Sequence, residues 1–207
     1  TSLNGKILRL DKATGHGLPS NPFWDGNSAS DRSKVWAYGL RNPFRFTVRP
    51  GSGNPNPAAG DPGTVVVGDV GWETWEEISK ASSGGVNFGW PCFEGSHSNA
   101  PYQAATPAHN GCGSVGSPTN PSPFTAPLAD WHHADPLLSS LPFAEGNSAI
   151  GGVFYDGVSW PVAYRGRLIF GDYGYGWMRL ATMNASDDVT AWNTFGEETE
   201  GPVDMAI

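Results

Sequence analysis

Val65 to Ser79 reads VVVGDVGWETWEEIS, and Leu168 to Thr182 reads LIFGDYGYGWMRLAT. Each is a short β run, then Gly-Asp-x-Gly-aromatic, then a Trp a few residues on, then a second apolar run. The copies start 103 residues apart, which suits two units of about 50 residues each. Repeats of that period, with four short strands per unit, mark the blades of a β-propeller. Two unrelated hairpins with similar turn chemistry are the alternative. On the propeller reading the glycines allow positive φ at the turn, and the Asp can bond its own backbone there. Both Gly-Asp turns then lie at one end of the molecule.

Composition agrees. Among 207 residues there are 28 Gly and 18 Pro, which disfavours a helical protein because each costs a helix roughly 1 to 3 kcal/mol. Nine Trp among the aromatics supply core area and argue against disorder. The formal net charge of −8 disfavours a nucleic-acid partner, and no apolar run of about 18 residues is present to span a membrane.

Working outward, short β-type runs are expected at Gly5 to Leu10, Val35 to Leu40, Phe44 to Val48, Thr64 to Val67, Val153 to Tyr155 and Leu168 to Phe170. Residues 72–79 stay open. Trp72, Trp75 and Ile78 fit a helical face with Glu73, Glu76 and Glu77 solvated, and a strand alternating Trp75, Glu77 and Ser79 fits equally. A long segment at about 91–149, dense in Pro, Ser and Asn, has the character of a functional or stapled loop. It holds Cys92 and Cys112, whose spacing is not that of a CxxC metal or redox motif. A disulfide closing this loop is expected, with two free buried thiols as the alternative, and a disulfide implies an oxidising compartment.

Several phrases in order are specific: GKILRLDKATG (5–15), YGLRNPFRF (38–46), VVVGDVGWETWEEI (65–78), GVNFGWPCFEG (85–95) and YRGRLIFGDY (164–173). Together they resemble the soluble glucose/sorbosone dehydrogenase family, in particular its secreted bacterial branch. That branch shares features with the propeller of hedgehog-interacting protein, which is not an enzyme. The resemblance implies an all-β chain, a partial six-bladed β-propeller with about four blades' worth of four-stranded antiparallel sheets. Residues 1–207 are then a fragment of a single domain, and the protein is secreted or periplasmic.

The resemblance also implies a site. Arg41 and Asn42 stand where the family's Arg-Asn-Pro motif faces pyrroloquinoline quinone (PQQ). Gly71 and Trp72 match the turn whose carbonyls hold a Ca²⁺ beneath the quinone, and Glu77 with the Phe88 carbonyl match two ligands of a second calcium. The expected function is oxidation of an aldose by a PQQ- and calcium-dependent dehydrogenase, with a small-molecule sugar as substrate and an unidentified electron acceptor. The family's catalytic His and an Arg pair fall outside this stretch, which by itself is expected to be inactive. One departure is internal: the family's Lys in the turn matching Asp172 to Gly176 is replaced by Gly174 or Tyr175. A non-catalytic secreted propeller binding carbohydrate or protein is therefore the rival expectation. Elsewhere, WHHADP (131–136) reads as loop histidines, because adjacent residues on a strand point apart. His16, His97 and His109 are isolated in sequence and carry no expected catalytic role. Asn184-Ala185-Ser186 forms a glycosylation sequon that matters only in a eukaryotic secretory host.

Overall fold

The computed structural model describes residues 2–105, 112, 124–142 and 144–206. Its described residues form four antiparallel sheets, two of them four-stranded. The chain opens with a pair, β1 (Lys6–Leu8) and β2 (Val35–Tyr38), the second entered from a one-turn helix α1 (Asp31–Lys34). The first four-stranded sheet comprises β3 (Pro43–Val48), β4 (Val65–Asp69), β5 (Trp75–Ala81) and β8 (Ala129–His132), in that spatial order. Between β5 and β8 runs an insert carrying the hairpin β6 (Phe93–Glu94) and β7 (His97–Ser98) and the short helix α2 (Ala100–Gln103). The second sheet is β9 (Ala149–Phe154), β10 (Leu168–Asp172), β11 (Trp177–Met183) and β12 (Val189–Gly196), again in chain order across the sheet.

The open question at 72–79 is answered by β5, which is a strand. Neither Glu76 nor Glu77 is solvated; both are buried, because the sheet is covered on both faces. Burial on both faces also explains the unbroken VVV run. Val66 packs with Trp131, Phe154 and Phe170 toward the second sheet, while Val65 and Val67 pack with Ile7, Trp36 and Phe88 toward the β1–β2 pair. A strand covered on one face would have alternated instead.

The two Gly-Asp turns do lie at one end. Asp69 faces Glu77 across the first, and Asp172 faces Trp177 across the second. Between them runs a relay through His133, whose N–H donates to the Thr74 carbonyl and whose carbonyl accepts the Tyr175 hydroxyl. The expected role of the turn glycines is corrected. Gly176 in the second turn does have positive φ, +61°, but Gly68, Gly71, Gly171 and Gly174 are absent from the positive-φ positions and serve close approach. A Cβ on Gly68 would sit 2.2 Å from the Gly151 nitrogen, so β4 and β9 come this close only because Gly68 is bare.

Cys92 and Cys112 are disulfide-bonded with Cα atoms 5.0 Å apart, as expected for the loop. His109 lies outside the described residues.

Candidate functional site

The site is built where β4 ends. Asp69 is buried at that end, and its carboxylate accepts two consecutive backbone N–H groups, Arg41 at 2.8 Å and Asn42 at 2.7 Å. Those residues precede β3, which pairs antiparallel with β4, so chain direction alone brings Arg41 to the β4–β5 turn. The Asn42 carbonyl returns a bond by accepting the Val70 N–H at 3.1 Å. Asp69 thus fixes the backbone of Arg41 and Asn42, and the Arg41 guanidinium goes elsewhere. Its Nη1 donates to the carbonyls of Val70 at 3.0 Å and Gly71 at 2.6 Å, and it lies 5.7 Å from the centre of the Trp90 ring.

The turn is held from two further directions. Glu94, on β6, accepts at one oxygen the four successive N–H groups of Trp72, Glu73, Thr74 and Trp75, at 2.6 to 3.1 Å. Glu76 is fully buried; its Oε2 accepts Gly71 N–H at 3.1 Å and Ala149 N–H at 2.7 Å, so it joins the turn to the second sheet. Its other oxygen lies 2.8 Å from His133 Nε2. Converging N–H donors of this kind stabilise a buried carboxylate that would otherwise pay a large desolvation cost.

Asp69 and Glu77 form a buried, hydrogen-bonded carboxyl pair. Burial pushes the Asp69 carboxyl up to about 6, against the pull of its two backbone donors. Burial, and then the neighbouring Asp69 charge, push Glu77 well above the usual carboxylate range. Glu77 Oε2 is buried without a hydrogen-bond partner among the described residues. His133 is raised, chiefly by its bond to Glu76.

The second turn is built differently. Asp172 accepts Trp131 Nε1–H, Ser148 N–H and Tyr175 N–H, so only this Asp caps its own turn as the repeat implied. At Gly174 a Cβ would fall 1.7 Å from Oδ1 of the exposed Asn147 side chain, so a residue there requires Asn147 to turn aside.

A family model described as Glucose / Sorbosone dehydrogenase matches residues 1–192. The chain belongs to the glucose/sorbosone dehydrogenase family. In Arabidopsis thaliana, HIPL2 protein is 30% identical over 83% of this chain, and HIPL1 protein is 30% identical over 98% of it. The chain spans only 23% and 28% of their lengths. The solved structure of the PQQ-bound form of aldose sugar dehydrogenase from Streptomyces coelicolor matches with a TM-score of 0.56 at 20% identity, over 96% of this chain and 41% of that one. Within the glucose/sorbosone dehydrogenases the two four-stranded sheets are blades of a β-propeller, with β3 and β9 the facing edge strands.

Of the residues singled out in this family member's sequence, Arg41, Asn42, Gly71 and Trp72 gather at one turn, and Glu77 lies just beyond it on β5. Phe88 packs in the core toward β1–β2, its N–H on the Tyr38 carbonyl. His132 and His133 diverge: His132 Nδ1 accepts the N–H groups of Ala134 and Asp135, and His133 reaches Glu76. Glu94 and Glu76 escaped the sequence reading. Glu94 belongs to an insert with no local signal, whereas the DVGWETWEE run did offer Glu76.

Proposed function

We propose that the protein oxidises an aldose, with the Arg41 corner as one wall of a PQQ site. The observation that carries this is the Asp69 clamp, which presents Arg41 and Asn42 at the turn that follows β4. The quinone fits the cation: Nη1 is committed to the turn, while Nη2 and Nε of Arg41 remain for a carboxylate or carbonyl. PQQ, when bound, supplies the two-electron acceptor for a sugar C–OH. Arg41 and Asn42 bind and orient it, and the Trp90 ring beside Arg41 keeps the cation's apolar side dry.

Calcium fits the two proposed positions unequally. The Gly71 carbonyl already accepts Arg41, so a divalent cation on that oxygen would oppose the guanidinium charge. Glu77 supplies a hard carboxylate oxygen with no hydrogen bond among the described residues, which suits Ca²⁺. The Phe88 carbonyl is the second oxygen proposed there, and Trp72 the second at the turn. A secreted or periplasmic setting is supported by the disulfide. Among the described residues no helix is long and apolar enough to cross a membrane.

One observation favours the second reading, a non-catalytic binding propeller. Gly174 and Tyr175 stand in the turn that carries the family's Lys, and Tyr175 spends its hydroxyl on the His133 carbonyl. Calorimetric titration of the whole protein with PQQ in the presence of Ca²⁺ separates the two. Oxidation of an aldose is expected, and Arg41→Ala is expected to weaken PQQ binding at least about tenfold with folding intact. No PQQ binding by the wild type leaves the binding propeller.

A further inference from the structure

We propose that the loops 133–138 and 172–177 form a docking surface for a basic one-electron carrier protein, an inference that rests on the aldose-oxidation reading. Residues 135–138 form a tight turn, in which the Leu137 N–H donates to Asp135 Oδ1 at 3.0 Å and the Leu138 N–H to the Asp135 carbonyl at 3.2 Å. That turn leaves Leu137 81% and Leu138 55% exposed. The β10–β11 turn leaves Tyr173 51% and Tyr175 45% exposed. The two loops are neighbours, because the Tyr175 hydroxyl reaches the His133 carbonyl at 3.3 Å. Single exposed apolar residues are ordinary, but four large ones on adjoining loops mark a surface that a partner covers.

The charge around this patch has one sign. The segment 197–201 closes over the second turn: the Thr199 N–H donates to the Gly176 carbonyl at 2.6 Å, and a Cβ on Gly201 would meet the Tyr173 ring at 2.8 Å. Glu198 and Glu200, on either side of Thr199, are exposed there, and Asp135 stands at the base of the leucine turn. Segments 133–138, 172–177 and 197–201 contain no Lys or Arg. Arg179, just beyond the β10–β11 turn, is spent on Glu197 at 2.7 Å. An acidic rim about an apolar centre fits a partner with lysines around an apolar patch of its own. It repels nucleic acid, anionic lipid and a second copy of the same face.

Aldose oxidation supplies the reason for such a partner. Converting one aldose to its lactone frees two electrons and two protons. Two oxidised carriers accept one electron each, and the protons pass to solvent. Both Gly-Asp turns lie at one end of the blades, so a carrier seated on this patch approaches from the end that holds the Arg41 corner. Docking is expected to be weak, since electron-transfer partners use the smallest class of interface and separate after each transfer.

The probe is a lysine-rich c-type cytochrome in its ferric form, titrated into the ¹⁵N-labelled whole protein without quinone and followed by amide chemical shifts. Shifts confined to 133–138, 172–177 and 197–201 are expected, with a Kd of about 1 to 100 μM at low salt. Raising salt from roughly 20 to 200 mM should weaken binding at least about tenfold. Glu198→Gln/Glu200→Gln should weaken it about tenfold, and Leu137→Ser/Leu138→Ser about as much with the salt dependence unchanged. The control is Asp61→Asn/Asp156→Asn, which removes the same charge from exposed positions at the opposite end and should change nothing. Thermal midpoints separate lost contacts from lost folding. An equal loss in the control, shifts spread over the whole surface, or no binding at about 1 mM cytochrome overturns the docking surface. Reduction of a phenazine dye by the quinone-loaded protein with an aldose tests the underlying reading separately. If the dye is reduced and the cytochrome is not, the docking surface falls and the aldose reading stands. If neither is reduced, the carrier falls together with that reading, whatever the shifts show.

Discussion

Glu94 Oε1 accepts the Trp72 N–H at 2.6 Å, and this single bond ties the disulfide-closed insert to the turn beside Arg41. The next three N–H groups converge on the same oxygen, so one buried charge organises a whole turn. Glu94→Gln keeps an acceptor of similar shape and loses the charge, and is expected to cost about 1 to 2 kcal/mol. Glu94→Ala strands four donors and should cost more, about 3 kcal/mol. Hydrogen exchange checks the mechanism: protection of amides 72–75 falls in both variants while β10 and β11 amides change little.

A second tie joins the blades at the opposite end. Asp187 accepts Arg49 Nη1–H, Thr64 Oγ1–H at 2.6 Å and Ser82 Oγ–H at 3.0 Å, and its carbonyl accepts Lys80 Nζ–H at 2.7 Å. Arg49, Thr64, Lys80 and Ser82 belong to the first blade's strands and their ends, while Asp187 sits on the β11–β12 hairpin with φ +62°. Asp187→Asn tolerates that backbone and keeps acceptor capacity, so the charge is what it tests. A loss of about 1 to 2 kcal/mol is expected for Asn and about 2 to 3 kcal/mol for Ala, read from chemical denaturation.

How much of this was legible in the sequence depends on how far apart the partners lie. The GDVGW and GDYGY repeat placed two turns at one end because a repeated local pattern needs no knowledge of distant contacts. Arg41 reached the turn for the same reason: antiparallel pairing of adjacent strands decides it. Two things were hidden. Ala129–His132 supplies the fourth strand of the first blade only after the insert, so ADWH looked like loop. The helical alternative left Glu76 and Glu77 solvated, and the sequence could not choose against it because burial of adjacent carboxyls depends on cover from both faces of the sheet.

Reduction of Cys92–Cys112 offers a third check. A cross-link closing a 20-residue loop stabilises by about 3 kcal/mol in the chain-entropy picture. Because Glu94 follows Cys92 by two residues, the loss should be felt at the turn as well as globally. Cys92→Ser/Cys112→Ser is expected to lower the thermal midpoint and to reduce protection of the Trp72 to Trp75 amides together. Unchanged protection at those amides would show that the hairpin β6–β7 holds Glu94 without the staple.

The last prediction concerns pH and His133. Its bond to Glu76 raises the imidazolium above the ordinary 6.5, so the folded protein holds this proton more tightly than the unfolded chain does. The stabilisation is therefore complete below pH 6.5 and is lost as pH rises through the higher folded value. Asp69 acts in a lower window: raised to about 6, it erodes stability as pH climbs from its ordinary 3.8 toward 6. The two effects have the same sign but different ranges, so a difference experiment separates them. His133→Gln keeps a hydrogen bond to Glu76 and cannot titrate. Wild type minus variant, followed by thermal midpoint, should be flat from pH 5 to about 6.5 and then fall as His133 deprotonates. A difference that stays flat as pH rises through about 6.5 to 8 would remove His133 as the group that couples the Glu76 seam to pH.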